Sequence, residues 1–210
     1  MNNPIQTLPS VILASRSPRR RQLLDWAEIR YSVITRSTDE TIDPVLPVEE
    51  VPIAIARTKA LAVQENVENI GANESYNSGL EHTPILAADT IVVLEGEILG
   101  KPENRKEAIH MLTKLSGKTH KVITGVVILC GDIEMAFSDT TEVTFYDLTE
   151  NQIAGYVNKY DPYDKAGAYA IQEWIGVVGI ERISGDFYNV MGLPVARVVH
   201  ALQQLCETPG

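Results

Sequence analysis

Four arginines crowd the start of one helix signal: Arg16, Arg19, Arg20 and Arg21, close behind the apolar run Val11-Ile12-Leu13-Ala14 and interleaved with Ser15, Ser17 and Pro18. The apolar run reads as a buried strand and Ser17 as an N-cap. Pro18 suits the first helical position, where its fixed φ and missing N–H do no harm. Arginines in that turn meet the positive end of the helix dipole, at about 0.3–1 kcal/mol per charge. Helix-start N–H groups flanked by guanidinium forks form a receptor for phosphate oxygens. The alternative is that these arginines are solvated, or paired with some of the chain's 28 acidic residues.

Asp89 is the next residue whose type and place suggest chemistry. It stands between Ile85-Leu86-Ala87-Ala88 and Thr90-Ile91-Val92-Val93, at or near a sheet interior. A carboxylate there must be hydrogen-bonded, paired or bound to metal. Three readings stay open: a structural Asp in a bulge, a general base, or a ligand to a hard cation. Gly100-Lys101-Pro102 sets a second cation ahead of a helix signal, which suits a ligand carrying several phosphates, against the plainer reading of a solvated lysine. Asp164-Lys165-Ala166-Gly167-Ala168-Tyr169-Ala170-Ile171-Gln172 joins an acid and a base to small residues that permit close backbone approach to a ligand. The segment ends in an amide that can both donate and accept. An Asp-Lys neighbour pair can equally be surface decoration.

Several chemistries are excluded. Ser116-Gly117-Lys118-Thr119 ends like a P-loop, but the glycine required ahead of Gly117 is Leu112; Gly96 to Lys101 is one residue short and continues with Pro102. Neither can form the phosphate cradle of that motif. The four histidines, at 82, 110, 120 and 200, have no metal-ligand spacing, and no Ser-His-Asp or Cys-His nucleophile arrangement is suggested.

The elements that must position these residues read as an α/β pattern. Tyr31 to Ile34 follows the arginine helix as a second strand. A helix is expected over Val48 to Val67, then a polar loop or insertion over Glu68 to Thr83. Ile85 to Ala88 and Ile91 to Leu94 form a strand-like run interrupted at Asp89-Thr90, with Glu95-Gly96 as a turn. Apolar positions 108, 109, 111, 112 and 115 predict a helix over Pro102 to Ser116 capped by Gly117. Val122 to Cys130 and Ile133 to Phe145 read as a hairpin around Gly131-Asp132. Thr149 and Gln152 predict a capping box for a helix to Asn158. A loop-rich region, Tyr160 to Gly192, precedes a terminal helix over Pro194 to Leu205.

The chain has 210 residues and a net charge of −10, room for one well-filled domain, 1–210, at most bilobed. The acidic balance argues against binding a nucleic-acid polymer or an anionic membrane. Cys130 and Cys206 lack metal spacing and read as reduced thiols. Met1 to Ser10 lacks the regions of a signal peptide, and no apolar run is long enough for a membrane helix. A soluble, cytoplasmic protein is expected.

Taken together, Ala14-Ser15-Arg16-Ser17-Pro18-Arg19-Arg20, Ala88-Asp89-Thr90, Ile98-Leu99-Gly100-Lys101-Pro102, Leu115-Ser116-Gly117 through His120, Asp164 through Gln172 and Asn189-Val190-Met191-Gly192-Leu193-Pro194 resemble the Maf family of nucleoside triphosphate pyrophosphatases. They run in the family's order over nearly the whole chain. The double arginine after Ser-Pro, the Asp-Thr pair and the Ile-Gln ending look like its dTTP/UTP branch rather than its 7-methyl-GTP branch. The resemblance implies an elongated mixed sheet flanked by helices, with two lobes around a cleft (a Maf/ITPase-like fold), and a homodimer. It implies Asp89 as catalytic proton acceptor, with Glu40 and Lys101 as further catalytic groups. Glu40 and Asp89 would hold a divalent cation, Mg²⁺ or Mn²⁺. Arg19, Thr90 and Gln172 would set base preference, and Ser15, Arg20, Lys59, Lys101 and Lys165 would line the triphosphate site. One departure is Glu173-Trp174 after Gln172, where many relatives carry glycine; another is the longer stretch Asn66 to Glu81, which suits a surface loop. The rival reading is a nucleotide-binding regulator of cell division with little turnover.

Overall fold

Residues 8–39, 45–71 and 82–207 are described by a computed structural model. Strands and helices alternate: β1 (Val11–Leu13), α1 (Pro18–Trp26), β2 (Tyr31–Val33), α2 (Val51–Gly71), β3 (Ile85–Leu94), β4 (Glu97–Leu99), α3 (Arg105–Leu115), β5 (Thr119–Cys130), β6 (Ile133–Phe145) and α4 (Glu150–Tyr160). Two 3-10 turns (Pro162–Asp164, Ala166–Ala168) then lead to α5 (Trp174–Gly179), β7 (Ile180–Ser184), α6 (Phe187–Met191) and α7 (Val195–Glu207). The seven strands form one sheet in the order β2-β1-β3-β5-β6-β7, with β4 added to β3. β1 runs parallel to β2 and β3, whereas β3/β4 and β6/β7 are antiparallel. The sheet is therefore mixed and the fold α/β, as expected. Among the described residues no helix is long and apolar enough to cross a membrane.

The chain divides into two compact units. The first holds the described residues of Met1–Asp89, Gly125–Ser138 and Val195–Gly210. Its core is a helix laid on three strands. Ile53, Ala56, Ala60, Val63 and Val67 of α2 recur at helical spacing and meet Ile12 and Ala14, Ile85 and Ala87, and Val127 and Leu129, which alternate as strand residues do. The small alanines let the helix come close. Gly125, on the same face of β5, carries this furthest: a Cβ there would lie 2.2 Å from the Ile53 nitrogen and 2.3 Å from the Pro52 carbonyl carbon.

The second unit holds Thr90–Thr124 and Asp139–Pro194. On α3, Ala108, Met111, Leu112 and Leu115 are buried; on α4, Ile153, Tyr156 and Val157. Both helices start on caps. Asn104 accepts the Glu107 N–H at 3.1 Å, and Thr149 with Gln152 forms the expected capping box. His120, Phe145 and Tyr169 pack as an aromatic group with ring centroids 5.1–5.5 Å apart.

Several boundaries move. α2 begins at Val51, because Glu50 N–H closes a turn on Pro47 O at 2.9 Å, and it continues to Gly71 through Glu68, residues expected in a loop. β3 runs unbroken through Asp89-Thr90. α3 starts at Arg105 rather than Pro102, since Asn104 takes the cap. The region expected to be loop-rich, 160–192, holds two 3-10 turns, α5, β7 and α6; each is too short for its period to stand out in sequence.

Candidate active site

The β1–α1 junction forms as the arginine-rich sequence anticipates. Ser17 occupies the cap in extended conformation and Pro18 opens the helix, whose first turn carries no acidic residue. Ser17 makes no side-chain capping bond. Instead the Ser15 hydroxyl accepts the Ser17 N–H at 3.2 Å and Arg20 Nη1 at 3.0 Å. Arg20 is only 8 % exposed and Ser15 7 %, so this guanidinium is folded back against the junction. Arg19 is half-buried, while Arg16 and Arg21 are exposed.

Asp89 is placed by strand alternation. It follows Ile85 and Ala87 on the face of β3 that meets α2. Lys59 stands beside Ala60 on α2, and its Nζ reaches Asp89 Oδ1 at 2.7 Å, with side-chain exposures of 17 % and 14 %. A carboxylate so far from water is stabilised by that ammonium. The backbone adds a second feature. β1 pairs with Ile85 and Leu86, and β4 with Val92 to Leu94. Asp89 and Thr90 lie between those partners, and they are the two residues of β3 that are not fully buried. The strand runs through both residues, and the ion pair with Lys59 accounts for the carboxylate.

Within the second unit, the Thr90 and Thr124 hydroxyls are 2.9 Å apart, and Thr124 donates to Asn189 O at 3.1 Å. Asn189 is fully buried and donates to Val122 O and Thr141 Oγ1, each at 3.0 Å. Thr124 and Asn189 were assigned no role from the sequence, although a threonine inside the apolar run of β5 is the signal that could have revealed this support for Thr90.

Lys165 is not surface decoration: it is 7 % exposed, with Nζ 2.7 Å from Asp164 Oδ1 and 3.5 Å from Glu173 Oε1. Lys101 is exposed. It lies beyond the first turn of α3, so the expected placement against that helix's dipole does not hold. Its neighbour Gly100 instead accepts the Gly167 N–H at 3.0 Å, bringing the Lys101 and Lys165 segments together. Gln172 is exposed on the turn ahead of α5. Glu40 lies outside the described residues.

His120 is 2 % exposed, and its Nε2 lies 2.7 Å from the Tyr169 hydroxyl. Burial lowers its pKa from 6.5 to about 4 and pushes the Tyr169 phenol up. Both are neutral near pH 7, which suits a structural pair. Cys130 and Cys206 are free thiols.

Among the described residues no cluster of three or more His, Cys, Asp or Glu could hold a metal. Mg²⁺ and its relatives do not need such a cage when substrate phosphates complete the shell around one or two carboxylates. Asp89 is a hard oxygen donor of that kind.

Comparison with known proteins identifies the family. The chain is 46% identical to a protein of Bacteroides fragilis (strain YCH46) named dTTP/UTP pyrophosphatase, over 93% of this chain and 95% of the relative. Relatives of the same name in Cytophaga hutchinsonii and Bacillus cereus (strain AH187) are each 44% identical, covering 93% and 92% of this chain and 84% and 94% of their own lengths. The family model described as Maf-like protein matches residues 10–205, from the strand before the arginines to the last helix, and the chain therefore belongs to the Maf family.

Proposed function

We propose that this protein hydrolyses dTTP and UTP between the α and β phosphates, releasing the nucleoside monophosphate and pyrophosphate. The observation that carries the reading is the Asp89–Lys59 pair, held at 2.7 Å on a stretch of β3 between two strand partners. Binding a nucleotide does not require a carboxylate at such a position; activating water does. The relatives' shared name supports the choice of substrate.

In this mechanism Asp89 accepts the proton of the attacking water, and Lys59, 2.7 Å away, holds that carboxylate in place. Ser15, Arg19 and Arg20 at the start of α1, together with Lys59, Lys101 and Lys165, neutralise the triphosphate, whose charge grows on the leaving pyrophosphate. Asp89, with Glu40 outside the described residues, would hold a divalent cation, whose chemistry there would be further neutralisation of the phosphates and a more acidic water. Arg19, Thr90 and Gln172 read the base, the Thr90 hydroxyl being fixed by Thr124. Polar groups placed to pair with the thymine or uracil edge reject bases that leave them unpaired. The enzyme works as a cytoplasmic homodimer.

The test is a panel of dTTP, UTP, CTP and GTP with Mg²⁺, Mn²⁺ or chelator, pyrophosphate and phosphate being quantified separately. dTTP and UTP are expected to give the highest kcat/KM, with pyrophosphate as product and none in chelator. Asp89→Asn is expected to lose about 10²–10⁴-fold in kcat while still binding nucleotide. Binding without turnover under either metal would establish a nucleotide-binding regulator instead.

A further inference from the structure

Gln172 sits at the tip of a tight turn, and three contacts brace that turn from behind. The Glu173 N–H closes it on Ala170 O at 3.1 Å, so Ile171 and Gln172 are its two central residues. The Tyr156 hydroxyl, on α4, joins its two ends: it accepts the Ala170 N–H at 3.2 Å and donates to Glu173 Oε2. One hydroxyl thereby uses its proton and a lone pair on the same loop. Tyr156 is 1 % exposed, so it does not compete with solvent for either bond. The third contact is the first turn of α5, where Gly176 and Val177 N–H groups donate to Glu173 O at 3.0 and 3.2 Å. Gly176 is there because nothing larger fits: a Cβ would lie 1.7 Å from the Ile171 carbonyl oxygen. That carbonyl belongs to the peptide group leading into Gln172, so its plane is fixed from the helix side.

We propose that Tyr156 is a positioning residue for base selection, its hydroxyl clamping the Ala170–Glu173 turn so that the Gln172 amide is presented in one orientation. The inference rests on the reading that Gln172 meets the base. It gives the Glu173-Trp174 departure a purpose: Glu173 supplies the acceptor that the Tyr156 proton uses, and it reaches Lys165 at 3.5 Å with its other oxygen. Tyr156 touches no substrate; it acts on discrimination through the loop.

The experiment compares kcat/KM for dTTP and dCTP, which share a sugar and ring size and differ at the edge an amide would read. Tyr156→Phe, which keeps the ring, is expected to lower the dTTP/dCTP ratio about tenfold, with the loss on dTTP. Gly176→Ala is expected to move the ratio the same way. Glu173→Gln keeps an acceptor for the hydroxyl and is expected to hold the ratio within about twofold, whereas Glu173→Ala lowers it. Combining Tyr156→Phe with Gln172→Ala is expected to add nothing beyond Gln172→Ala alone. A merely structural tyrosine would lower both rates together and leave the ratio unchanged, which overturns the proposal. A ratio unaltered in Gln172→Ala removes the base-contact reading itself. A ratio lowered in Gln172→Ala but intact in Tyr156→Phe and Glu173→Ala removes only the clamp.

Discussion

Replacing Gly125 by alanine tests whether the approach of α2 to β5 sets the Lys59–Asp89 pair. The added Cβ would sit 2.2 Å from the Ile53 nitrogen and 2.3 Å from the Pro52 carbonyl carbon, both backbone atoms. Non-bonded carbon contacts settle near 3.5–4 Å, so the start of α2 must withdraw by about 1 Å or more. Lys59 rides on the same helix, and its Nζ now lies 2.7 Å from Asp89. A withdrawal of that size takes the pair out of hydrogen-bond range. Overpacking of this kind costs about 1–3 kcal/mol in stability, and a misplacement of about 1 Å costs on the order of 10²-fold in rate. The assay is steady-state pyrophosphate release from dTTP, with urea unfolding of the same preparation. The expected result is a folded protein whose kcat/KM has fallen about 10²-fold. A Gly125→Ala protein with undiminished stability and a rate within about threefold of the parent would refute the claim that this contact aligns Lys59.

Other expectations follow from the same structure. Gly155 lies on the exposed side of α4 with nothing within 4 Å of an added Cβ, so Gly155→Ala should raise the urea-derived stability by about 0.5–1 kcal/mol without altering turnover. Lys59→Met should destabilise the protein by about 1–3 kcal/mol, and by clearly less in an Asp89→Asn background; additive losses would show that the two side chains are not coupled. His120, held at a pKa of about 4, refuses a proton that the unfolded chain takes near 6.5. The unfolded state therefore binds more protons between those values, and this residue lowers stability progressively as pH falls from 6.5 to 4, by about 3 kcal/mol in all. Urea titrations across that range should show a shallower fall in His120→Gln, and parallel curves would contradict the assignment.

Much of this was readable from residue order because it is local. Ser17 and Pro18 fix the start of α1, and Thr149 with Gln152 fixes the start of α4. The alternation of Ile85, Ala87 and Asp89 needs only the strand period. The partnership of Asp89 with Lys59 spans 30 positions and depends on which helix covers that face, which periodicity does not reveal. Lys101 misled because Pro102 resembles a helix opener, while Asn104 offers the stronger cap. Residue order left Asp164-Lys165 open between a ligand contact and surface charge, because burial by the neighbouring turns and Glu173 is tertiary. The bracing of Gln172 by Tyr156 and Gly176 was hidden for the same reason: short 3-10 turns and a six-residue helix leave no period to detect.

The pairing of β3 with β1 at Ile85 and Leu86 also bears on how this sequence can change. Losing or gaining one residue between Leu86 and Asp89 would reverse the side on which the carboxylate emerges, sending it away from Lys59. Length changes ahead of Ile85 have no such effect, because β1 re-establishes the strand's phase downstream of them. Changes of chain length between α2 and β3 thus leave the carboxylate's side unaltered, while the few positions from Leu86 to Asp89 tolerate substitution but not miscounting.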